Sequence, residues 1–284
     1  MKDKSKAVIF MLISGLAFAL MAANVKLADE IPVFEKVFFR NMISLFVAFA
    51  VILGKNQKIF GKGVNGKFLF LRSFFGLIGV VLYFYSISHM NLADSSMLNK
   101  FSPFFVTLFA CLFLKEKLTG AKIISLIIAF LAVMLIIKPR FELSVLPAVA
   151  GFFSAVFAGA AYTIVRFLGK RENPEVIVFY FSLISVLGML PPVIMNFHRP
   201  TISELIYLIG SGLFAAIGQF ALTFAYKFAK ASEIAIYNYS NIIFSAILGY
   251  FIWKEVSDVY SILGGFLLIA TSTWIYFATE HKKI

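Results

Sequence analysis

Asn99 and Asn238 lie 139 residues apart, each inside a long apolar run where a polar side chain is costly. An amide offers two donors and an acceptor, enough to orient a carboxylate, an amine or a purine edge without reacting with it. Ser102 and Asn241 follow three residues later, on the same helix faces. Asn24 and Gln219 are the side-chain amides of two further apolar runs. Arg40 sits about seven residues, roughly 10 Å, inside another. Snorkelling serves poorly at that depth, so a buried partner or a substrate carboxylate is the natural counterpart. Tyr83 follows the small-residue stripe Gly76–Gly79, and Tyr162 follows Ala155–Gly159. Such stripes mark close helix packing, and a Tyr beyond one is placed to face a cavity. These nine residues form the candidate substrate-binding set. The chemistry they offer is recognition, not bond making. His89, His198 and His281 are far apart, Cys111 is the only cysteine, and neither HExxH nor a Gly-rich nucleotide loop occurs. An enzyme, a metal site, a cofactor and an ATP-driven pump are therefore not expected.

Apolar residues make up 61% of the 284-residue chain and charged residues only 14%. Soluble chains carry about 45–50% and about 25%. The excess cannot be hidden in a water-soluble domain, so the chain is read as a polytopic membrane protein. Ten runs reach the roughly 17–25 residues that cross a hydrocarbon core. They are Ala7–Leu27, Val33–Leu53, Phe68–Met90, Ser95–Leu114, Ala121–Ile137, Val145–Leu168, Val176–Met195, Leu205–Phe228, Ile234–Trp253 and Val259–Ala278. They do not alternate as barrel strands would, so the fold class is all-α. The first run is longer than a signal-peptide core and nine more follow, so it is read as a span. Asp94 and Glu233 open their spans as helix caps. Lys26 lies a turn from its span's outer end, where snorkelling accounts for it. Pro103 and Pro191-Pro192 interrupt spans four and seven.

The formal net charge is +12, and the basic residues cluster between spans. That pattern orients a chain in a bilayer and gives no reason to invoke nucleic acid. With the N-terminus inside, 17 Lys and Arg fall on the cytoplasmic side and four (Lys138, Arg140, Arg199, Lys254) outside. Both termini are thus expected in the cytoplasm, in a multi-pass protein of the cytoplasmic (inner) membrane. No embedded carboxylate is evident, and the charges inside spans are positive, which favours a substrate carrying a carboxylate or phosphate.

A shift of 139 residues also superposes Gly79 on Gly218, Asp94 on Glu233, Phe105 on Phe244 and Lys115-Glu116 on Lys254-Glu255. This reads as an internal repeat, residues 1–140 and 141–284, each of five spans. Five is odd, so the second unit enters the membrane from the opposite side. Inverted repeats let two halves rock about a central site.

Leu92-Ala93-Asp94-Ser95-Ser96, Ser102-Pro103-Phe104-Phe105 and Leu114-Lys115-Glu116-Lys117-Leu118 resemble the fourth-helix signature of the EamA family, within the drug/metabolite transporter superfamily. Phe39-Arg40-Asn41, Leu71-Arg72-Ser73-Phe74-Phe75-Gly76 and Gly249-Tyr250-Phe251-Ile252-Trp253-Lys254-Glu255 are similar to other segments of that family. The resemblance covers essentially the whole chain. It implies two EamA units and a secondary carrier of small metabolites, amino-acid-like or nucleotide-like. Two departures stand out. Span nine reads Asn241-Ile242 where many relatives have Glu-Pro, implying no break opposite Pro103, and span one lacks a frequent Trp. The expected function is alternating-access transport of a small polar metabolite. The competing class is a lipid flippase or non-transporting scaffold. Membrane lipids are the other expected partners, and a coupling proton or ion is left open.

Overall fold

The computed structural model describes residues 2–59, 65–113, 119–138, 145–168, 171–228 and 235–280, and these are helical with no strand among them. In chain order the helices are α1 (Lys2–Leu27), α2 (Val33–Gly54), α3 (Gly66–His89), α4 (Leu92–Asn99), α5 (Ser102–Phe113) and α6 (Gly120–Ile137). Then come α7 (Leu146–Leu168), α8 (Pro174–Met195), α9 (Ile202–Phe228), a 3-10 turn (Ala235–Tyr239), α10 (Ser240–Trp253) and α11 (Val259–Glu280). Local chemistry sets several ends. Pro174 opens α8, where its missing N–H costs nothing. The Thr119 hydroxyl accepts from Lys122 N at 3.4 Å to start α6. Lys138 and Lys254 close α6 and α10 in the left-handed conformation, φ 47° and 58°.

Eight segments are long and apolar enough to cross a membrane: α1, α2, α3, α4 with α5, α6, α7, α8 and α9. α10, at 14 residues, is shortened because the 3-10 turn takes the start of span nine. Span four is not one continuous helix either. It breaks at Lys100-Phe101, just ahead of Pro103, which enters α5 at a position that tolerates its ring. At the position related to it by the 139-residue shift, 239–240, span nine changes from 3-10 to α winding without a gap, and no proline marks it. Among the described residues, span nine thus has no gap opposite Pro103, although its first turn is wound more tightly than an α-helix. α8, by contrast, runs through Pro191 and Pro192 without interruption.

The helices pair in a definite order. α1 packs most extensively on α9, α3 on α7, α2 on α8 and α6 on α11. Small residues permit this closeness. A Cβ on Gly79 would stand 3.3 Å from Ala158 N and Ser154 O of α7, and one on Gly218 would stand 3.1 Å from the Phe18 ring of α1. The Ser14 hydroxyl donates to Gly218 O at 2.8 Å, tying α1 to α9. Large apolar side chains such as Phe46, Phe113, Met195, Phe251 and Phe266 are exposed around the outside, as a lipid-facing surface requires and water would penalise.

One end of the bundle is laced by charge. Lys26 Nζ ion-pairs with Glu255 and also donates to Met90 O at 2.7 Å, above the Trp253 ring. The other oxygen of Glu255 accepts from Leu92 N at 2.9 Å, so Glu255 serves the first turn of α4. Lys138 pairs with Asp258. Lys26 is therefore a paired residue, not a snorkelling one. Asp94 lies in the first turn of α4, where the helix end favours its charge, but its carboxylate makes no cap bond there and accepts from the Ser257 hydroxyl at 2.6 Å. Glu233, Lys115 and Glu116 lie outside the described residues.

Candidate functional site

α3 carries Arg72, Gly76, Gly79 and Tyr83 at helical spacing, and this stripe forms one wall of a cavity of about 120 Å³. α2 contributes Arg40, α8 Phe181, and α7 Tyr162. Asn99 and Lys100 reach it from the break between α4 and α5, Gln219 from α9 and Asn241 from α10. That volume holds several waters but is below the roughly 300–1,000 Å³ of sites that engulf a drug-sized ligand. A larger metabolite would need the helices to part.

The charges are one-sided. Among the described residues, Arg40, Arg72 and Lys100 line the cavity and no acidic side chain does. Arg40 and Arg72 are buried, 9% and 8% exposed. The Arg72 guanidinium lies 4.0 Å from the centre of the Phe181 ring, and that of Arg40 5.5 Å. Cation–π attraction offsets part of the cost of removing them from water. Arg40 donates one bond, at 2.7 Å, to Asn41 Oδ1. Arg40 Nε, Arg72 Nε and one terminal Arg72 nitrogen are buried without a hydrogen-bond partner. Among the described residues no carboxylate pairs with either arginine. A second cavity of about 240 Å³ lies between α4, α10 and α11. Its lining is mainly apolar, and Glu255, the charged side chain among the described residues that line it, is already engaged by Lys26.

Of the nine residues proposed from sequence, Arg40, Tyr83, Asn99, Tyr162, Gln219 and Asn241 come together at the first cavity. Tyr83 lies with its hydroxyl 3.4 Å from that of Ser96, and Asn99 donates to the Ser154 hydroxyl at 3.3 Å. Asn241 spends a donor on Gly15 O at 3.0 Å, joining α10 to α1. The other three lie elsewhere. Asn24 donates to Leu20 O at 2.8 Å and abuts Gly210. Ser102 is buried against Gly159 of α7. Asn238 accepts from Lys100 Nζ at 3.0 Å, one shell behind the cavity wall. Arg72, Lys100 and Phe181 were missing from the sequence set. A charge inside an apolar run was the available signal for the first two.

Asn99→Leu and Asn238→Leu are both expected to weaken substrate binding while the protein still purifies as a single species. The first deletes a cavity amide and the second strips Lys100 of its acceptor. Leaving a polar group unmatched costs about 1–3 kcal/mol, or roughly five- to 150-fold in affinity. Unchanged affinity with a lowered melting temperature in both variants would assign the pair to packing alone.

The sequence model of the EamA-like transporter family matches twice, over residues 5–138 and 146–277. The chain is 35% identical over 265 residues to the pseudopaline exporter CntI of Pseudomonas aeruginosa, covering 92% of this chain and 93% of that one. It is 26% identical to human solute carrier family 35 member G1, over 93% of this chain and 76% of the other. Identity is also 26% to the S-adenosylmethionine uptake transporter of Rickettsia bellii, over 91% and 89%. A protein of known crystal structure superposes with a TM-score of 0.65 over 94% of this chain and 95% of its own, at 15% identity, a likeness of fold. With both halves matched by one family and a relative above 30% identity along its length, this multi-pass membrane protein belongs to the EamA-like transporter family.

Proposed function

We propose that the chain is a secondary carrier that moves a small polar metabolite bearing a carboxylate or phosphate across the cytoplasmic membrane by alternating access. The observation that carries this reading is a cavity between both halves of the chain, lined, among the described residues, by three cations and no acid. Relatives named for export of pseudopaline and for uptake of S-adenosylmethionine support a polar metabolite as cargo. They leave direction unassigned. Cavity walls drawn from α1, α2, α3, α7, α8, α9 and α10 suit a soluble cargo held at the centre better than a lipid taken from the side.

The mechanism follows from two five-span units, residues 1–140 and 141–284, inserted in opposite directions as ten spans with both termini inside. The contact order supports this. Exchanging the halves turns the α1–α9 pairing into α7–α3, and leaves α2–α8 and α6–α11 paired as before. Gly79 and Gly218, related by the 139-residue shift, serve the α3–α7 and α1–α9 contacts respectively. Two units related in this way can rock about the cavity between them.

Liposomes reconstituted with the purified protein and screened with labelled amino acids, nucleoside-like metabolites and organic anions test the function. Saturable flux of an anionic metabolite is expected; flux of none, in protein shown to be folded, would sink the carrier reading. Topology is tested separately. In a Cys111→Ala background, single cysteines at Lys62 and Lys117 should label only from the cytoplasmic side, and those at Arg140 and Lys254 only from outside. Labelling of the Lys117 and Lys254 sites from one side would rule out opposite orientations.

A further inference from the structure

The geometry points to a substrate with two separated anionic groups, one held between Arg40 and Arg72 and the other at Lys100. This inference rests on the carrier reading above and narrows it.

The first pole is built around Phe181. Both guanidiniums face its ring, Arg72 at 4.0 Å and Arg40 at 5.5 Å from the centre. Two like charges sharing one ring repel each other, and the described residues supply no acid between them. Their buried N–H groups without partners are those an incoming oxygen anion would satisfy, and the planar fork of Arg suits a carboxylate or phosphate in two-bond fashion. Gly76 makes the arrangement possible: a Cβ there would stand 2.9 Å from Phe181 Cε2 and 3.4 Å from the Arg72 guanidinium.

The second pole lies further along the same wall. Arg72 and Tyr83 are eleven residues apart on α3, a rise of about 16 Å. Tyr83 meets Ser96, and Lys100 is one turn beyond Ser96 on the way back toward Arg72. The backbones of Arg72 and Lys100 are thus roughly 10 Å apart along the axis. Lys100 has three donors and gives one to Asn238, with Asn99 beside it. No described carboxylate pairs with it. Three desolvated cations in one cavity are costly to an empty protein. An extended molecule with an anion at each end answers both poles at once, with the third cation matched as well as the arginine pair.

Thermal unfolding of the purified full-length protein, at fixed ionic strength, tests the inference with hexanoate, adipate and tricarballylate as probes. Adipate and tricarballylate should bind at least about ten-fold more tightly than hexanoate. Arg72→Gln and Lys100→Gln should each weaken adipate binding by about ten- to 150-fold and erase its advantage over hexanoate. Arg72→Gln should melt, without ligand, no lower than the parent, because a buried charge without an ionic partner has been removed. Gly76→Ala should weaken adipate without removing any charge. Equal binding of hexanoate and adipate, binding of neither, or adipate binding unchanged in both Gln variants would overturn the two-pole site. The carrier reading is separated by flux. Adipate binding without flux of any anion would keep this site and discard transport. Flux of a monoanion that survives both Gln changes would keep transport and discard this site.

Discussion

Glu255→Gln should be among the most damaging substitutions outside the cavity. Its carboxylate holds Lys26 on one oxygen and the Leu92 N–H on the other, so one side chain fastens α1 and the start of α4 to the end of α10. Both partners are largely shielded, with side chains 12% and 16% exposed. Removing one member of a shielded pair strands the other, at a cost of about 3 kcal/mol. Lys26→Met should cost less, since Glu255 keeps its bond to Leu92, and the double variant should be less damaged than the two losses added together. Unfolding of the four proteins of that cycle, followed in detergent, measures the coupling. Strict additivity would show that the pair contributes nothing. Where this end must open during transport, the same variants should also raise cysteine labelling inside the cavity from that side.

Gly159 is the second position where a small change should have a large effect. A Cβ built there collides with Cβ of Phe105 and comes within 3.2 Å of the backbone at Phe105 and Ser102. Neither obstacle is the free end of a flexible side chain. α5 and α7 would have to separate, and with them the aromatic cluster of Phe101, Phe105 and Phe152. Gly159→Ala should therefore destabilise by about 1–3 kcal/mol, and Gly159→Leu should abolish accumulation of folded protein. Normal yield and melting temperature of the Leu variant would mean that these helices do not pack this closely in the membrane.

Helix positions were legible because each apolar run is long and bounded by charge, and burial in lipid leaves the backbone no alternative to helix. The break at Lys100-Phe101 was half legible through Pro103. The change from 3-10 to α winding at Tyr239-Ser240 was not: no Gly or Pro marks it, and it lies where span nine packs against α1, with Asn241 reaching Gly15 O and Ser240 filling the space a Gly15 side chain would need. Arg40 could be found from depth alone. Arg72 satisfied the same test less clearly, lying nearer its span's end, and what fixes it is Phe181 on a distant helix. Lys26 and Glu255 are 229 residues apart, beyond any local pattern. Asn24 shows the converse limit. Its polarity was evident, but which way it faced depended on α9, and it faces Gly210.

The broken fourth span has an electrostatic consequence of its own. The break brings the carboxyl end of α4 and the amino end of α5 together beside Lys100 at the cavity. Aligned peptide dipoles place about half a negative charge at the first of these ends and about half a positive charge at the second, so their fields largely oppose each other. This potential belongs to the backbone: it neither titrates nor disappears when a side chain is replaced. A protein stripped of Arg40, Arg72 and Lys100 would therefore be left with little preference between anions and cations at its centre. Under the carrier proposal, selectivity for charge sign rests on these three side chains, each of which can be replaced on its own.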